Sequence, residues 1–106
     1  AEAARANGIA FIGPPREVLE MAGNKVSAKE KAIAAGVPVL KSSPATTDIE
    51  VLITAADEIG FPIFAKAVAG GGGRGMRRVE TRDALRPALE AAMREADSAF
   101  GDPTMF

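Results

Sequence analysis

The stretch Phe64–Val79, FAKAVAGGGGRGMRRV, decides how the rest of the chain is read. Glycine loses more backbone freedom on ordering than any other residue, roughly 0.5–1 kcal/mol relative to alanine in an ordered element. The run Gly70–Gly73 followed by Gly75 therefore needs a reason. On its leading side, FPIFAKAV (Phe61–Val68) reads as a strand, with Pro62 near the first residue, where a missing N–H is tolerated. On its trailing side, Met76–Val79 reads as the partner strand. The glycines are then the tip of a β-hairpin.

Gly70, Gly72 and Gly75 match G-x-G-x-x-G, but a dinucleotide fingerprint needs a helix to open at the glycines, and MRRVE favours extended structure. A Walker A loop is excluded because no Gly-Lys-Ser/Thr follows. The glycine hairpin of protein kinases has a valine two residues after its last glycine, where Arg77 stands. What survives is a glycine-rich lid whose backbone N–H groups approach phosphate oxygens with no Cβ in the way, while a lysine on the adjoining strand adds a point charge. Lys66 occupies that position. Strand alternation sets Lys66 on the same face as Phe64 and Val68, so its ammonium is expected to intrude on an apolar face. The bland alternatives are a solvated strand lysine and a plain flexible turn; the adjacency of the two features favours function.

Arg74, inside the tip, is placed to bring a guanidinium to a phosphate or bicarbonate-like anion. Arg77 and Arg78 read as solvated surface, since no aromatic residue interleaves with them and the chain has no Tyr or Trp for base stacking. Nucleic acid is not an expected partner.

Working outward, Thr47 with Glu50 three residues on reads as a capping box. Ile49, Leu52, Ile53, Ala56 and Ile59 then repeat at helical spacing until Gly60. A last helix is expected over about Asp83–Phe100, with Leu85, Leu89, Met93, Ala96 and Phe100 on one stripe and Pro87 loosening its first turn. Before the polar connector KSSPATT, Ile9–Ile12 and Val37–Leu40 read as short buried strands. Between them lie a helix entered through Pro15 and closed by Gly23, and a second over about Val26–Ala35 ended by Gly36. Lys25 lies near the start of that second helix, where exposed N–H groups favour an anion; from the residues alone the alternative is a solvated surface lysine.

Thirteen Lys and Arg against fourteen Asp and Glu leave a net charge of −1, so any anion site must be local. With neither Cys nor His, the chain has no disulfide, thiolate or imidazole metal site, and no Ser-His or Cys-His nucleophile pair. No apolar run is long enough to span a bilayer and the first residues lack a hydrophobic signal core, so a cytoplasmic location is expected. The chain opens on what reads as the end of a helix and closes on an apolar extended segment, so it is expected to be a piece cut inside two elements.

The segments FIGPPREVLEMAGNKVSAKEKAIAAGVPVL and GFPIFAKAVAGGGGRGMRRV resemble the biotin carboxylase part of biotin-dependent carboxylases, an ATP-grasp family, over nearly the whole chain. Within that family the wording KAVAGGGGRGMRRV is most similar to bacterial pyruvate carboxylase; acyl-CoA carboxylases more often read KAS before their glycines. The resemblance implies an α/β fold in two parts: residues 1–44 as the end of a Rossmann-like N-terminal subdomain with its connector, and 45–106 as most of the small ATP-grasp lid. It implies that Lys25 and Lys66 hold ATP phosphates and that the loop of Gly70, Gly71, Gly72, Gly73, Arg74 and Gly75 closes over them. Met76 is then expected near adenine. The family's Mg ligands, catalytic residues and bicarbonate site are expected beyond Phe106, and biotin on a separate carrier domain. The implied partners are ATP, the remainder of the biotin carboxylase domain and that carrier, in a homo-oligomeric parent that carboxylates biotin with ATP and bicarbonate. Two alternatives stay open: the biotin carboxylase subunit of an acyl-CoA carboxylase, and a non-catalytic interaction module that keeps the lid fold.

Overall fold

The hairpin forms where the sequence places it. The computed structural model describes residues 1–106, with β1 (Ile63–Lys66) and β2 (Met76–Val79) pairing antiparallel in the register Ile63↔Val79, Phe64↔Arg78, Ala65↔Arg77 and Lys66↔Met76. The other edge of β1 is taken by the last residues of the chain. Lys66 and Phe106 exchange both backbone hydrogen bonds at 2.9 Å, and the Val68 N–H donates to the Thr104 carbonyl at 3.0 Å. Beyond them, Thr46 and Met105 exchange bonds at 2.9 and 3.0 Å.

Helices α4 (Ile49–Ile59) and α5 (Leu85–Phe100) accompany this small sheet. The core joins Leu52 and Ala56 from α4 and Leu85, Leu89, Ala92 and Ala96 from α5 to Ala65, Ala67, Val79 and Met105. Of the predicted α5 stripe, Leu85, Leu89 and Ala96 are buried, whereas Phe100 is exposed. Pro87 is the third residue of α5, within the first turn, where its missing N–H has no helical partner to lose.

Two local expectations are corrected here. The cap of α4 is Asp48, whose carboxylate accepts from the Glu50 and Val51 N–H groups at 2.9 and 3.4 Å, not Thr47. Glu50, which a capping box would turn back toward the cap, reaches Arg86 instead. The second correction concerns the hairpin face. Ala65 and Ala67 point into the core, and the face bearing Phe64, Lys66 and Val68 is the open one, with Phe64 52 % exposed. Small alanines let α5 come close to the strand, and the larger side chains are left outside.

The chain divides into two compact units, Ala1–Val39 and Leu40–Phe106. The first contains α1 (Glu2–Ala6), α2 (Arg16–Gly23) and α3 (Lys25–Ala34) and has no buried residue. The helices at Arg16–Gly23 and Lys25–Ala34 agree with the sequence; the latter ends where Gly36 takes φ +74°, a left-handed conformation that disfavours a side chain. The strands expected at Ile9–Ile12 and Val37–Leu40 do not form; Ile12 is fully exposed and Leu40 nearly so. A strand exists only through a neighbour's ladder, and β1–β2 is the one sheet of this chain. No helix is long and apolar enough to cross a membrane.

Candidate functional site

The loop between β1 and β2 is closed at its base by the Ala67 N–H donating to the Gly75 carbonyl at 2.8 Å. Within it, the Gly70 N–H donates to Ala67 at 3.4 Å and the Arg74 N–H to Gly71 at 3.2 Å. The N–H groups of Gly71, Gly72 and Gly73 take no part in these bonds and lie at an exposed tip. Gly72, Gly73 and Gly75 take φ of +61°, +83° and +66°, which L side chains rarely adopt. Gly75 is required twice over, because a Cβ there would stand 2.7 Å from the Ala67 Cβ. At Gly70 a Cβ would meet the Arg74 carbonyl oxygen at 2.8 Å. The loop is thus a turn of largely bare backbone in which the Gly71–Gly73 amides stay outside its internal bonds, the kind of donor set that can meet an oxyanion.

Lys66 stands at the entrance to this loop. Its backbone is bonded on one edge to Phe106, and its ammonium lies 5.9 Å above the centroid of the Phe64 ring. Met76 lies opposite Lys66 in the hairpin and is 40 % exposed. Its neighbour Arg77 pairs with Glu95 of α5 at 2.7 Å, and Arg78 pairs with Glu80 at 3.2 Å, so these two are engaged in ion pairs. Arg74 forms no such pair and is exposed at the tip. The structure therefore brings Lys66, Gly70–Gly75, Arg74 and Met76 into one hairpin.

Lys25 belongs to the other unit, as the first residue of α3. The helix amides there are less available than the sequence suggests, because the Asn24 side chain accepts from the Val26 and Ser27 N–H groups at 3.0 and 3.1 Å. A cleft of about 260 Å³ in that unit is lined by Glu2, Arg5, Phe11, Pro15 and Arg16, among others. Its charges already satisfy one another: Arg16 pairs with Glu2 and Glu20, and Arg5 with Glu17.

Sequence reasoning missed two contributors. The segment Thr104–Phe106 read only as apolar and extended, yet it anchors Lys66; its turn is held by the Asp102 carboxylate, which accepts from the Thr104 N–H at 2.9 Å. Hydrogen bonds from the Thr104 side chain and backbone hold the Asp102 carboxyl below its ordinary range. The Arg77–Glu95 pair was the other, and no local pattern marks it.

Residues 24–106 match the family described as the carbamoyl-phosphate synthase L chain, ATP binding domain. The chain belongs to this family. Within it, the chain is 42 % identical over 107 residues to biotin carboxylase 2 of Bacillus subtilis (strain 168), an alignment spanning all of this chain and 24 % of that protein. It is 45 % identical over 101 residues to pyruvate carboxylase of Aspergillus niger, covering 94 % of this chain and 8 % of the relative. A crystal structure of the biotin carboxylase–βγ-ATP complex from Campylobacter jejuni superposes with a TM-score of 0.90 at 45 % identity, over 98 % of this chain and 24 % of that one. The chain thus has the α/β fold of a biotin carboxylase ATP-grasp piece and spans about a quarter or less of the length of these relatives.

The Gly71–Gly73 amides, exposed and outside the loop's own hydrogen bonds, are donors of the kind a phosphate takes, while the clashes a Cβ would meet at Gly70 and Gly75 are with the loop's own neighbours. A metal finds no such set: no three acidic side chains converge anywhere in the chain.

Proposed function

We propose that this chain is the phosphate-binding part of a biotin carboxylase, an ATP-dependent ligase that carboxylates biotin with bicarbonate, and that its parent is a pyruvate carboxylase. The observation that carries the reading is the hairpin itself: a lysine whose backbone is pinned between two neighbours, leading into a loop of positive-φ glycines whose exposed tip amides make no bonds within the loop, and an arginine free of ion pairs. Lys66 and Arg74 supply positive charge to the phosphates, and the amides of Gly71–Gly73, outside the loop's own bonds and with no Cβ beside them, allow close approach. Met76 offers an apolar surface beside Lys66 for the base, and Lys25 is the second phosphate lysine. ATP, when bound, supplies the phosphoryl group that activates bicarbonate. The work of this chain's own side chains is to bind and orient the phosphates and to cover them from water. Mg ligands, catalytic groups and the biotin carrier domain come from outside these residues, in a cytoplasmic, homo-oligomeric parent.

The loop wording KAVAGGGGRGMRRV favours a pyruvate carboxylase parent. Near-equal identity to a biotin carboxylase and to a pyruvate carboxylase keeps the subunit of an acyl-CoA carboxylase as the second reading. The test is phosphate release by the full-length protein carrying this chain, with ATP, Mg, bicarbonate and its biotin carrier. Pyruvate-dependent formation of oxaloacetate supports the proposed parent; carboxylation of an acyl-CoA instead moves the assignment to the second reading. Absence of nucleotide binding would leave a non-catalytic module.

A further inference from the structure

The trailing leg of the glycine loop is held differently from its tip. Arg77 lies two residues beyond Gly75 and opposite Ala65, on the side of the hairpin that meets α5. Its guanidinium reaches Glu95 of α5 at 2.7 Å and also donates to the Met76 carbonyl at 3.0 Å. Glu95 Oε2 is buried and accepts no hydrogen bond, which leaves the ion pair with Arg77 as its polar contact. The next residue of α5, Ala96, closes on the loop: a Cβ at Gly75 would lie 3.5 Å from the Ala96 Cβ. By contrast, the exposed tip residues Gly71–Arg74 are tied only by the Arg74-to-Gly71 bond at 3.2 Å.

We infer that Glu95, acting through Arg77, is a positioning residue for the glycine loop, fixing its trailing leg on α5 so that the tip amides and Lys66 are presented together to the phosphates. A lone buried carboxylate oxygen is costly to leave unmet, so the pair has one preferred geometry, and that geometry sets where Met76 and Gly75 lie. The inference rests on the proposed nucleotide reading for its consequence, but not for the restraint itself.

The experiment uses the full-length protein carrying this chain and three readouts: the rate at which trypsin cuts after Arg74 without nucleotide, the dissociation constant for MgADP, and the melting temperature. Glu95→Gln keeps the side-chain shape and is the principal variant; Arg77→Lys keeps the charge but loses the fork, and Glu80→Gln, which breaks only the exposed Arg78 pair, is the control. Loss of a coupling between touching residues predicts MgADP binding weakened about threefold to tenfold in Glu95→Gln, with cleavage at Arg74 accelerated by a similar factor and Glu80→Gln unchanged. A lower melting temperature with unaltered cleavage and affinity overturns the inference, as does an unaltered protein in all three measurements. If the unsubstituted protein binds no MgADP, the nucleotide reading fails, and the cleavage rates alone decide whether Glu95 restrains the loop.

Discussion

Replacing Lys66 by glutamine removes one ammonium and little else. The backbone of Lys66 keeps both bonds to Phe106 and its place opposite Met76, because neither depends on the side chain. The side chain touches no buried group; what the fold loses is the contact 5.9 Å over the Phe64 ring, and at an exposed site a cation above an aromatic face is worth about 0.5–1 kcal/mol. A charge-assisted bond to a phosphate is worth on the order of 1.5–3 kcal/mol, and at 1.36 kcal/mol per decade this is about tenfold to more than a hundredfold. Binding should therefore suffer more than folding. The control is Arg78→Gln, which breaks an exposed pair with Glu80 worth about 0–1 kcal/mol and takes no part in the loop. The assay is steady-state kinetics of the full-length protein with ATP varied, alongside thermal melts of both variants. Equal kinetic losses in the two variants, or no loss in Lys66→Gln, would refute the phosphate role and leave the loop as a structural turn.

Gly75→Ala, which meets both a positive φ and the Ala67 Cβ, should destabilise by about 1–3 kcal/mol, whereas Gly71→Ala, with open space around it and no positive φ, should be nearly silent in the same melts. The 106 residues alone should release no phosphate in a bicarbonate-dependent manner above a no-protein control, since no acidic cluster is present to hold a metal against the phosphates. Because the Asp102 carboxyl is held below its ordinary value of 3.8, its contribution is present above that pH and is lost as pH falls through the lower folded value. Acid titration followed by amide exchange at Lys66 should show the Thr104–Phe106 segment loosening in that window, and Asp102→Asn should abolish the transition; an unchanged profile counts against the assignment.

The parts of the fold that were legible are those whose signal is local. Apolar spacing in Ile49–Ile59 and Leu85–Phe100 requires no knowledge of the partner, and the glycines between two extended segments define a hairpin from neighbouring residues alone. Ile9–Ile12 and Val37–Leu40 failed because an apolar run reports a wish for burial, not the presence of a neighbouring strand. Which hairpin face turns inward was likewise hidden: alternation separates Ala65 and Ala67 from Phe64, Lys66 and Val68, but only the close approach of α5 selects the alanines. The candidate site was half visible. Lys66, Arg74 and the glycines announce themselves by chemistry and spacing, while Glu95 and Phe106 enter through contacts far along the chain, which no window of adjacent residues contains.

The bonds between Lys66 and Phe106 have a consequence for the order of assembly. Lys66 lies well inside the second unit's sequence and its backbone partner Phe106 at the far end, with β2 and the whole of α5 between them. A hairpin closes early because its contacts are short in sequence, whereas this third row must wait until the intervening helix has brought the chain back. During synthesis the glycine loop is therefore made before the edge that steadies its lysine. A ribosome-bound chain stopped short of Thr104 should hold a formed turn with Lys66 unpinned on one edge, and would gain that edge only once Thr104–Phe106 have been added.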